Sequence, residues 1–281
     1  MTHATVPPQP AVHRTVSTLR NLAEVTAGTG ATRRAKALVL CLAMLSSAAW
    51  ADGLTDLKAA LARTQGTSTV SATFEAKTWR REGEGKDAEE TNGTASVYFE
   101  EGINGLRMQY SRDTMVKADS ESRAREKDSR AKTPVTNALR AINANDVRDM
   151  TWASQFLTRS LEKTSFKSER ADMLGGKAVR VVSFELGRDK IGEKERQYVK
   201  KFDGSIDIWI DAEGVPLQSI LRYVVSGRAF VLITYDGEYS EEFTYTLVGD
   251  RLIAVRKEIR NKTVTTAEKS EEKTVRTLTL R

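Results

Sequence analysis

From residue 166 to residue 280 the sequence is a long series of short alternating segments separated by turn residues, and this constrains the fold more than any other feature. Segments 166–173 and 178–186 flank Gly175-Gly176, a pair suited to a tight hairpin turn. Segment 205–211 (SIDIWID) alternates cleanly, with Ile206, Ile208 and Ile210 on one face, and Ala212-Glu213-Gly214 ends it. Segments 217–225, 229–235, 242–247, 252–260 and 274–280 follow at hairpin spacing, while 193–201 reads as a short helix or turn. Consecutive strands of this kind pair antiparallel, and so long a meander must twist and coil.

The first part of the chain mixes both periodicities. Leu54, Leu57 and Leu61 recur at helical spacing within 54–65, and Gly66 ends that helix. Val70, Ala72, Phe74 and Ala76 then alternate as a strand. A polar stretch at 81–91 reads as a loop, and strands follow at 95–99 and 106–110, joined around Gly102 and Asn104-Gly105. The charged stretch 117–133 reads as a solvated loop or flap. Pro134 opens two helices, 134–143 and 146–162, with Val135, Leu139 and Ile142 on one stripe and Trp152, Phe156, Leu157 and Leu161 on another. The expected class is α+β: a strongly curved antiparallel sheet of about ten strands, an incomplete β-barrel, with helices covering its concave face.

An export signal precedes this domain. Arg33, Arg34 and Lys36 form a basic region, 37–45 (ALVLCLAML) an apolar one, and Ala49-Trp50-Ala51 a small-x-small cleavage site. The apolar run falls short of the roughly 20 residues that span a bilayer, so no transmembrane span is expected in the mature chain. Cys41 lies inside the apolar run after Leu38-Val39-Leu40, which does not suit lipidation. Residues 1–32 reflect either a start called too early, with translation beginning near Val16 or Val25, or a long disordered leader. The expected organisation is a leader and cleavable signal peptide over 1–51 and a single periplasmic domain over 52–281, exported by a Sec-type route.

Cleavage there has a chemical consequence. His3, His13 and Cys41 are the only histidines and cysteine, and all lie upstream of it. Residues 52–281 therefore have no imidazole for a catalytic triad, no thiol nucleophile, no Cys or His zinc ligand and no disulfide. The formal net charge of +6 also shrinks, because five of the 44 basic residues but only one of the 38 acidic ones lie in the leader. The remaining signs are mixed, which argues against a nucleic-acid partner.

No phosphate-binding loop, nucleophile elbow or dinucleotide fingerprint is present. Asp207 and Asp211 fall on the outward register of 205–211 and read as solvated, and Glu241-Glu242 and Glu271-Glu272 read as surface charge rather than metal ligands. Trp209 shares the polar face with those aspartates, so that face is either covered or carries an edge-packed indole. No cofactor, metal or catalytic residue is assigned.

The order of these pieces resembles a known family. A signal peptide, the helix Leu54, Leu57, Leu61, the strand Ser71-Ala72-Thr73-Phe74 and the hairpin 206–219 (IDIWIDAEGVPLQS) resemble the periplasmic lipoprotein carriers LolA and LolB, which carry W-x-D before that turn and a proline after it. The regulators RseB and MucB and mycobacterial glycolipid-binding lipoproteins share the fold. The chain departs at Phe74-Glu75-Ala76, where the carriers read F-x-Q, and in its charged 117–133 stretch. The resemblance implies a half-barrel around helices and a hydrophobic cavity, with no single functional residue transferred.

The expected function is a non-catalytic periplasmic binding protein for a lipid, acyl chain or other apolar ligand, with a lipid or an acylated protein as its partner. On the strands, Val70, Phe74, Ile206, Ile208, Leu221 and Tyr223 are the expected apolar lining. On the helices it is Trp152 and Phe156, with 117–133 as a lid. The alternatives are an envelope sensor or adaptor that binds a protein partner, and a carboxylate-based envelope enzyme.

Overall fold

The computed structural model describes residues 52–188, 191–229 and 233–281. The predicted signal peptide and its cleavage residues Ala49 and Ala51 lie outside the described residues. Ten strands form one antiparallel sheet: β1 (Val70–Glu82), β2 (Glu89–Gly102), β3 (Gly105–Tyr110), β4 (Ser165–Leu174), β5 (Lys177–Leu186), β6 (Val199–Ile210), β7 (Pro216–Ala229), β8 (Ile233–Val248), β9 (Arg251–Thr265) and β10 (Lys269–Leu280). Their order is β3-β2-β1-β10-β9-β8-β7-β6-β5-β4. The sheet is open, half-barrel-like and not closed, as expected of an incomplete barrel. The last strand inserts beside the first, with Phe74 opposite Leu278 and Ala76 opposite Arg276.

This order explains where the helices lie. Strands β3 and β4 are the two edges of the sheet, so the chain between them must cross its whole width. That crossing carries α2 (Arg112–Lys127), α3 (Pro134–Arg140), α4 (Ala144–Thr151) and α5 (Ala153–Leu161), while α1 (Gly53–Arg63) precedes the first strand. Helix α3 packs on β1 and β2, α4 and α5 on β9, and α1 on α5, β4 and β5. These four cover one face, here called inner. The core lies between, built from Val70, Ala72, Phe74, Val97, Phe99, Ile206, Ile208 and Ile210 on strands and Leu57, Leu61, Val147 and Leu157 on helices.

Local chemistry sets the helix boundaries. The Asp52 carboxylate accepts from the Leu54 N–H at 3.1 Å and caps α1, whose Leu57, Ala60 and Leu61 are buried. Asn143 caps α4 by accepting from Asp146 N at 3.0 Å. Helix α3 comes so close to the sheet that only glycine fits beneath it: a Cβ on Gly93 would stand 2.5 Å from the Pro134 carbonyl oxygen.

Several sequence expectations need correction. The charged stretch is not a loop, because 112–127 form α2. Its polarity is compatible with a helix because Lys117–Asp113 (2.8 Å) and Arg123–Asp119 (2.8 Å) pair one turn apart. Glu121 docks it, accepting from the N–H groups of Val135 (2.9 Å) and Thr136 (2.8 Å) at the start of α3. Three helices replace the two expected over 134–162. Trp152 separates α4 from α5 with non-helical backbone (φ −113°, ψ 47°) and turns its indole toward the sheet. The loop expected at 81–91 shrinks because β1 runs to Glu82 and β2 starts at Glu89, and of the separate strand expected at 229–235, Ala229 ends β7 and 233–235 open β8, while 230–232 lie outside the described residues. Cross-strand pairing overrides local polarity in each of these strands.

Candidate functional site

The helices do not cover the whole inner face, and the side chains beyond them follow from the strand register. Under α4 and α5 one row crosses the sheet as Ile208, Ser219, Phe243, Lys257, Arg276 and Ala76. The next is Ile206, Leu221, Glu241, Ile259, Thr274 and Thr78. Beyond it come Gly204, Tyr223 and Tyr239, then Phe202, Val225 and Gly237. Three rings on adjacent strands meet there. Tyr223 stacks on Tyr239 with centroids 4.8 Å apart and planes 14° apart, and Phe202 lies 5.7 Å from Tyr223. All three are half-buried and lie outside the main core cluster.

A charged layer divides this aromatic shelf from the core. Lys257 Nζ pairs with Glu241 at 2.6 Å and lies 4.9 Å from the Phe243 ring centre and 5.7 Å from that of Phe156. Glu241, expected as surface charge, is only 9% exposed, and its register points inward. Burial raises the Asp149 carboxyl above the usual carboxylate range, against the opposing pull of Lys257 and Arg159. Burial also raises the hydroxyls of Tyr223, Tyr239 and Tyr245, and the Glu241 charge adds to each shift. The Ser219–Tyr245 hydroxyl pair (2.6 Å) opposes the shift at Tyr245.

These tyrosines set an alkaline limit to stability. Their folded pKa values lie above the unfolded value of about 10, so their contribution is whole below that pH and is lost as pH rises beyond it. Tyrosinate absorbance during an alkaline titration should show Tyr239 and Tyr245, two of the seven tyrosines, ionising only together with unfolding. Independent titration of all seven in the folded protein would contradict the buried ladder.

The eight expected lining residues fall into four groups. Val70, Phe74, Ile206 and Ile208 are buried in the packed core beneath the helices. Phe156 and Leu221 are partly buried against it, with the Phe156 ring 5.2 Å from that of Phe243. Tyr223 stands on the shelf. Trp152 serves a different contact: its indole N–H donates to Glu101 at 2.5 Å and its ring lies 4.1 Å from the Arg251 guanidinium.

The outer face has its own features. Trp209 is half-buried there, and its indole N–H reaches across β5 to donate to Asp172 at 3.0 Å. With Arg170 bonding first, then the Met173 N–H and this indole, the Asp172 carboxyl is held down at about 2. Asp207 accepts from the Ser183 hydroxyl at 2.5 Å, and Asp211 from the Glu213 and Val215 N–H groups in the turn. Further along the same strands lies a groove of about 530 Å³, continuous with a second of about 460 Å³ through Asp203, Val224, Glu238 and Lys262. Alternation reveals which residues face outward, but this groove needs six strands in register.

Among the described residues there is no cluster of three His, Cys, Asp or Glu arranged to hold a metal, and no helix long and apolar enough to cross a membrane. No protein-family model matches this chain, and neither a search of curated proteins nor one of solved structures finds a match.

Proposed function

We propose that the protein is an exported, non-catalytic binding protein of the periplasm whose ligand is an acyl chain or a similar apolar group. The observation that carries this reading is the shelf of Phe202, Tyr223 and Tyr239, a half-buried aromatic patch on the inner face beyond the Lys257–Glu241 pair. Rings half-open to water beside a core are a ready apolar seat. Leu221 leads from the shelf toward Phe156 at the margin of the helices. An acyl chain lies across the three rings and ends at that margin. The absence of histidine and cysteine from 52–281 supports binding over catalysis, and the export signal read at 33–51 supplies the compartment.

Native mass spectrometry with organic extraction of protein purified from the periplasm tests this. The expected result is lipid at one-to-one stoichiometry, lost in a Tyr223→Ala/Tyr239→Ala double variant that keeps its circular dichroism. A ligand-free mass, with no uptake of added oleate, would overturn the reading and favour a protein partner instead.

A further inference from the structure

We propose that the groove on the outer face is a second binding site, for an extended, uncharged oligosaccharide. The strand register draws it. One row runs Trp79, Lys273, Arg260, Ser240, Arg222 and Ser205 across β1, β10, β9, β8, β7 and β6. Beside it runs Glu271, Lys262, Glu238, Val224 and Asp203. All of these side chains line the 530 Å³ groove. Five strand spacings of about 4.8 Å give a track of roughly 24 Å, which suits a chain of several sugar rings rather than a compact ligand.

The chemistry of the walls selects the ligand class. Trp79, Val224, Tyr223 and Tyr239 border the groove among Ser, Asn, Asp, Glu, Arg and Lys residues, so a lipid tail laid along it would meet charged and polar groups throughout. A polyanion is disfavoured because the cations are largely neutralised. Glu258 pairs with Arg260 at 2.6 Å and Lys273 at 3.1 Å, and Glu238 pairs with Lys262 at 3.2 Å. Burial alone would raise the Glu258 carboxyl, yet the bonds from Lys273 and Arg260 keep it below its usual range, so it stays charged opposite them. Other groups in the groove are uncommitted: the Trp79 indole, the Ser205 and Ser240 hydroxyls, Arg222, Asp203 and Glu271 have no side-chain partner among the described residues. A balanced set of free donors and acceptors beside the Trp79 indole matches a sugar chain. Its C–H face rests on the indole, and its neighbouring hydroxyls meet guanidinium and carboxylate forks.

Tyr223 and Tyr239 also border this groove, but the register turns their rings to the opposite face from Trp79 and Arg222, so the two sites are tested with different variants. Calorimetric titration of the purified protein with hexamers of N-acetylglucosamine and of glucose, each in α- and β-linked form, reads binding directly. At least one hexamer should bind saturably, and the corresponding monosaccharide should bind about tenfold more weakly or not at all. Trp79→Ala and Arg222→Ala should each weaken the hexamer about tenfold while leaving lipid content and the unfolding midpoint unchanged. No saturable binding of any hexamer, equal binding by both variants, or binding only of heparin or polyphosphate would overturn the proposal. Loss of lipid with sugar binding retained would instead count against the shelf.

Discussion

Replacing Arg251 by methionine is expected to lower the unfolding free energy by about 3–5 kcal/mol, the usual cost of leaving one member of a buried ion pair alone. Arg251 opens β9 and is 1% exposed, yet it is fully engaged. Its guanidinium pairs with Glu101 of β2, donates to the Thr151 carbonyl at the end of α4 (2.7 Å) and to the Ser68 carbonyl ahead of β1 (3.1 Å), and lies beneath the Trp152 ring. One side chain therefore ties the α4–α5 junction to β2, β9 and the chain leading into β1. The methionine leaves the Glu101 carboxylate buried without its counter-charge. Urea unfolding should show the midpoint falling at unchanged slope. A double variant, Arg251→Met with Glu101→Leu, should recover much of the loss because neither charge is then stranded. Arg251→Lys should not recover it, since an ammonium cannot reproduce the planar fork. A single-variant cost under about 1 kcal/mol would mean that this pair is not buried in solution.

The second large effect is expected at Phe74, and it bears on function. Phe74 is completely buried, so truncation to alanine in a packed core should cost about 3–5 kcal/mol. If Phe74 instead bordered an open acyl cavity under the helices, its ring would lack neighbours on one side, and the loss would be much smaller. Denaturant unfolding of Phe74→Ala therefore separates a ligand held on the shelf from one held beneath the helices. The larger loss is expected, with lipid stoichiometry unchanged at a temperature where the variant stays folded.

Other clamps follow the same plan as Arg251. Arg276 of β10 donates to the Ala141 carbonyl (3.0 Å) and pairs with Asp146 of α4 (3.1 Å). Arg180 of β5 pairs with Asp56 of α1 (2.7 Å), and Glu169 of β4 accepts the Gly53 N–H (2.8 Å). The helical layer is thus fastened by charged side chains rising from the sheet as well as by apolar contact. None of these partners announces itself in the sequence, where Arg251 follows a Gly-Asp turn and reads as one more polar residue.

What the sequence determined by itself is local. Alternation at 70–76 and 205–211 set the inner faces of β1 and β6, Leu54, Leu57 and Leu61 set the buried stripe of α1, and Gly175-Gly176 set a hairpin whose glycines adopt φ of 57° and 80°. These follow from periods of two and 3.6 residues, which depend only on neighbouring positions. Tertiary structure decided the rest, because it concerns residues far apart in the chain. The pairing of β1 with β10 brings Trp79 beside Lys273, and the register of β7, β8 and β9 aligns Tyr223 with Tyr239 and Arg222 with Arg260 through Ser240. Inward register also turned Glu241 from expected surface charge into the buried partner of Lys257. Shelf and groove exist only once the strands are in order, since a slip of one residue would exchange the two faces.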